Sequence, residues 1–257
     1  MFLVWSGDAL HVMFLVWSGD ALHVMFLVWS DDALHVIFPI WSGDALHVMF
    51  LVWIGDKLDV MVLVWSDDAL HVMFLVWSDD ALHHVMFLIW SGDALHHVMF
   101  LICSGDALHH VMFLIWSGDA LHHVMFLVWS DDVLHVMFLI FSGDALHVMF
   151  LVWIGDKLHV MFLVWSDDAL HVMFLVWSDD ALHHGMFLIW SGDALHHVMF
   201  LVWSDDAIHH VMFLIWSGDA LHHVMFLIWS DDALHHVMFL IWSGDALHVD
   251  QGCNKWR

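Results

Sequence analysis

The sequence predicts an all-β tandem repeat, and three observations carry that prediction. The unit M-F-L-V/I-W-S-G/D-D-A-L-H-V recurs twenty times from Met1 to Val249, in eleven copies of 12 residues and nine of 13. Each junction holds a run of β-branched and aromatic types, such as Leu10 to Trp17, which suits a pleated strand. Between runs stands Ser-Gly-Asp-Ala or Ser-Asp-Asp-Ala, a turn signal.

The expected arrangement is an antiparallel hairpin meander, closed into a barrel or stacked as a sandwich. Gly-Asp occurs in twelve copies and fits a two-residue type II′ hairpin turn, while the Asp-Asp copies call for a type I or looser turn. On a hairpin centred at Gly7-Asp8, Trp5 faces Leu10 and Val4 faces His11. Along each strand Leu, Val, Phe and Val alternate with His, Met, Leu and Trp, so neither face is polar and both require cover. The alternative is a parallel β-solenoid with one 12- or 13-residue coil per repeat, which would stack Asp on Asp at about 4.8 Å. One long amphipathic helix is excluded, because at about 100° per residue the polar turn walks around the axis from copy to copy. Short helices broken at each Ser-Gly would be marginal alone. The second His of the longer copies shifts side-chain parity and demands a bulge or a moved turn.

The array covers 1–249, leaving the tail Asp250 to Arg257 outside the pattern. A higher level of copying is visible: residues 37–135 align without gaps on 137–235 with 12 differences, eleven of them reachable by one nucleotide change. Val85 against Gly185 and Cys103 against Trp203 are examples. Pro39, Gly185, Asp59 and Cys103 fall at apolar or His positions, as though the drift took little notice of chemistry.

Composition narrows the function classes. Lys57, Lys157, Lys255 and Arg257 are the only basic residues apart from His, so the counterion release that drives nucleic-acid binding has almost nothing to act on. The net charge of -26 would rise to about +2 if all 28 His were protonated, and precipitation is expected in mild acid. Cys103 and Cys253 make neither a disulfide framework nor a zinc quartet, and Cys103 stands where most copies have Trp. No basic leader is visible and the apolar runs fall far short of the roughly 20 residues of a spanning helix. A membrane β-barrel stays open, since an eight-residue strand reaches about 26 Å.

The His pairs raise metal binding, with His83, His84, His96, His97, His109 and His110 as the candidates. Copying of one duplicated codon accounts for them equally, so no metal or other cofactor is expected. The Asp turns lack the glycines of calcium-binding nonapeptide repeats. Ser, His and Asp occur in every copy, which gives no one set the unique geometry of a triad, and no nucleophile-elbow, phosphate-loop or zincin motif is present. An enzyme is not expected, nor a specific small-molecule ligand. The sequence reads as the product of a tandem DNA repeat with no specific biochemical activity. The alternative is a self-associating structural or membrane-associated β-repeat protein, and a weaker one is His-rich metal binding. Windows such as V-M-F-L-V-W-S are uncharged and rich in β-formers, the composition of a self-associating segment.

Overall fold

A computed structural model of the chain describes residues 1–7, 10–55, 58–68, 70–79, 82–93, 95–105, 108–119, 121–131, 134–144, 146–155, 157–230, 233–244 and 246–254. These residues form a parallel β-solenoid of two sheets. Successive repeats alternate between the sheets, so each strand pairs in parallel with the next strand but one: Phe2 with Phe26, Phe26 with Phe50, and Phe100 with Phe126. The first sheet runs from Phe2–Ser6 through Leu22–Ser30 to Ala246–Asn254. The second begins at Leu10–Met13, continues through Leu34–Ser42 and ends at Val237–Ser243.

Two expectations are corrected. The antiparallel meander is not formed, because every strand pairing is parallel and in near-identical register. A type II′ turn would need a positive φ, and none of the described residues has one. The corner after each Ser instead sends the chain onto the opposite sheet. The solenoid alternative has the right class and the wrong coil, since a coil consumes two repeats. A repeat carries one strand and one corner, so it crosses the core once, and only the following repeat brings the chain back.

The inward alternation builds the core. In Leu46–Ile54 the residues Leu46, Val48, Phe50, Val52 and Ile54 are buried while His47, Met49 and Trp53 face out. Phe rings stack within a sheet, as in Phe100 on Phe126 at 5.0 Å and 1°. Across the core they meet edge to face, as in Phe100 and Phe113 at 4.7 Å and 65°. Both arrangements favour the aromatic quadrupole.

The corners are ladders too. The Gly92 amide donates to the Ser66 carbonyl at 2.9 Å and the Asp93 amide to the Asp67 carbonyl at 3.0 Å. The strand-ending Ser turns inward and its hydroxyl donates to an Asp carbonyl one coil back: Ser66 to Asp44 and Ser91 to Asp68, each at 2.8 Å. The buried hydroxyl is thereby satisfied. Ile54 and Ile154 replace that Ser and are fully buried.

The extra His is absorbed as a bulge, seen as a register shift between Leu95 and His97 against the strand Leu70–Ser78. Residues beyond the bulge return to the common alternation. The non-repeat tail does not begin a new element: Asp250 to Asn254 complete the last strand, paired with Met225 to Trp229.

Candidate functional site: the outer faces

Because the pairing is parallel and in register, each outward position becomes a column of one residue type along the solenoid. On both sheets the columns run, across the strand, His, Met, Leu and Trp. Imidazole rings follow one another stacked or tilted, at centroid distances from 4.5 Å, for the stacked His23 and His47, to 5.9 Å, for the tilted His123 and His147. Indoles stack likewise, Trp90 on Trp116 at 4.9 Å and 2°. The outer side chains are about half-exposed, with Trp29 at 47% and Met25 at 40%.

The corners frame these faces with carboxylates. Asp20, Asp44, Asp68, Asp93, Asp119 and Asp144 follow one another at one corner of successive coils, all exposed. The stacking that counted against a solenoid in the sequence is therefore present, and its repulsion is spent in water. At four of the Asp-Asp corners the first Asp gains a partner: Trp65, Trp129, Trp165 and Trp203 each donate their indole N–H to the carboxylate two residues on, at 3.1–3.3 Å. Asp59 replaces a His in its column and pairs with His35, Nδ1 to Oδ2 at 2.8 Å. Both groups are partly exposed, which keeps that pair weak.

Burial, and then the neighbouring imidazole, holds several His below the ordinary value: His47 beside His23, His159 beside His135, His171 beside His147, His183 beside His209 and His210 beside His236. Cys103 sits in the Trp column, paired with Trp77 and Trp129, and burial pushes its thiol up. A thiol so placed is a poor nucleophile at neutral pH.

Of the six His singled out from the sequence, the three whose side chains are described do not converge on one point. His84 and His110 stack on the second sheet at 5.3 Å, whereas His97 stacks on His123 of the first sheet, also at 5.3 Å. The side chains of His83, His96 and His109 lie outside the described residues. Among the described residues no group of three or more His, Cys or Asp is placed to hold one metal ion.

Sequence reasoning missed a groove on each face, bounded by the His and Met columns. The groove on the second sheet has a volume of about 740 Å³ and runs from His84 and Met86 to His236 and Met238. Its counterpart on the first sheet, about 560 Å³, runs from His123 and Met125 to His223 and Met225. The inward residues between His and Met form the floor, Val85 to Val211 with Gly185 among them on the second sheet and Val124 to Val224 on the first. The signal was present as the tripeptide His-Val-Met, but its alignment into a groove depends on pairing two repeats apart. No helix among the described residues is long and apolar enough to cross a membrane. No family model matches this chain, and neither a curated protein nor a solved structure matches it.

Proposed function

We propose that the chain is a self-associating structural β-solenoid and not an enzyme. The observation that carries this reading is the continuous cover of Met, Leu and Trp columns on both outer faces. A face of eleven strands, about 4.8 Å apart and about 26 Å long, presents roughly 1,200 Å². A stable interface takes about 800 Å² from each partner, and apolar patches beyond a few hundred Å² mark association sites. Columns of identical side chains are also complementary to another copy of themselves, as in stacked sheets about 10 Å apart. With a net charge of -26, anionic lipid and nucleic acid are disfavoured partners.

Sedimentation of the full chain at neutral pH without detergent tests the reading. Assemblies of two or more copies are expected, strengthened by salt that screens the Asp corners. A monodisperse monomer across protein concentration overturns it, and partition into neutral lipid vesicles with no self-assembly redirects it to a membrane surface.

A second reading, the translated product of a tandem DNA repeat with no selected activity, is favoured by Gly185, a Val-to-Gly change inside the core. Codon comparison between copies separates the two. Synonymous changes in excess of replacements support the structural role, and equal rates support drift.

A further inference from the structure

We propose that the two outer grooves are binding sites for a file of soft monovalent cations, copper(I) or silver(I), each ion held between an imidazole and a thioether. The grooves share their Met columns with the proposed association surface, but the ligand chemistry does not rest on that reading. The groove on the second sheet is walled by seven His on one side and seven Met on the other, and that on the first sheet by five of each. His and Met stand two residues apart on one strand, so both project to the same side, about 6.6 Å apart along it. Two side chains of that length reach a shared ion lying in the space between them.

The donor set selects the metal. No carboxylate lines either groove among the described residues, which leaves oxygen-seeking calcium and magnesium without ligands. Zinc takes four ligands in tetrahedral array, and thioether is not one of its usual donors. Most successive imidazoles of a column are stacked face to face, as in His135 and His159 at 4.6 Å and 11°, an arrangement that aims their nitrogens alongside one another rather than at one centre. That agrees with the lack of any three-residue His, Cys or Asp cluster among the described residues. Copper(I) and silver(I) differ on both counts: thioether sulfur is a preferred soft ligand, and these ions accept as few as two donors. One His and one Met per coil meet that need without rebuilding a column. Five further His-Met pairs, His11 and Met13, His23 and Met25, His47 and Met49, His71 and Met73, and His97 and Met99, lie outside the grooves, whereas Ile37 follows His35 and Asp59 precedes Met61, so those two coils lack the pair.

The test uses the full chain with Cys103→Ser and Cys253→Ser, since thiolates would capture the same ions. Copper(I) is delivered anaerobically at neutral pH against a chromogenic copper(I) chelator. Uptake of between twelve equivalents, the groove pairs alone, and seventeen, every His-Met pair of the chain, is expected. Replacing the seven Met of the second-sheet groove by Leu (Met86→Leu, Met112→Leu and their five counterparts) is expected to remove about seven equivalents. The matching five-Met replacement on the first sheet is expected to remove about five. Leu preserves volume, and circular dichroism checks that the β signature is kept. X-ray absorption on the chain with its Met intact gives a readout that needs no refolded variant, and mixed nitrogen and sulfur scatterers are expected. Sulfur-free coordination, unchanged uptake in a folded variant, or equal uptake of zinc overturns the proposal.

Discussion

At the scale of single residues, the substitutions sort by face in a way the sequence alone conceals. Of the four that looked chemically careless, Pro39, Asp59 and Cys103 project outward and Gly185 alone lies in the core. A Cβ built on Gly185 would meet the Phe187 ring at 3.2 Å and the Val211 side chain at 3.5 Å, so a small ring shift readmits the side chain that neighbouring coils carry. Gly185→Val is expected to raise stability by about 1–2 kcal/mol, through restored burial and reduced backbone entropy; a lower thermal midpoint would show that the core has closed around the glycine. The corner glycines from Gly55 onward behave oppositely. A Cβ on Gly118 would fall 1.8 Å from the Gly92 carbonyl oxygen, and that oxygen belongs to backbone that cannot rotate away. Gly118→Ala should therefore cost roughly 1–3 kcal/mol, read as a lowered midpoint in denaturant.

At the scale of elements, Pro39 explains why the first strand of the second sheet is broken into Leu10–Met13 and Val16–Ser18. Both pieces pair with Leu34–Ser42, and the Phe14 amide donates to the Ile37 carbonyl at 3.0 Å. The next ladder bond would come from the nitrogen of residue 39, and proline has no hydrogen to give. Pro39→Leu is expected to join the two pieces and slow hydrogen exchange at Phe14 and Val16, whose amides face Leu34–Ser42; unchanged exchange would place the cause elsewhere. Much of this level was legible beforehand. Strand composition, the alternation of inward Leu, Val, Phe and Val with outward His, Met, Leu and Trp, and the bulge at the doubled His all follow from side-chain period. The direction of pairing did not follow, because Ser-Gly-Asp-Ala serves a hairpin or a wide corner equally well. What decided it was the stacking of whole coils, in which Phe meets Phe and Ser finds an Asp carbonyl, and no local window contains that information. The outer grooves were hidden for the same reason.

At the scale of the whole molecule, the His columns tie stability to acidity. His47, His159, His171, His183 and His210 are harder to protonate in the fold than in the free chain, chiefly through burial and then through neighbouring imidazoles. As pH falls below about 6.5 the unfolded chain therefore takes up protons first. Stability should be full above that point and decline on acidification, as a falling thermal midpoint between pH 8 and pH 5; a midpoint that rises in acid would contradict the assignment. Protonation also brings the net charge of -26 toward zero, so turbidity should grow over the same interval. The alternation of repeats between two sheets bears finally on how such a chain can lengthen. Inserting or losing one repeat sends every later strand to the opposite face and sets single-His coils against double-His ones. An even number leaves each face as it was. The long internal duplication obeys that parity: Ile37 lies in the strand Leu34–Ser42 and its counterpart Met137 in Leu134–Ser142, both in the second sheet. The heritable module of this array is thus a closed circuit of the chain, and a lone repeat is only half of one.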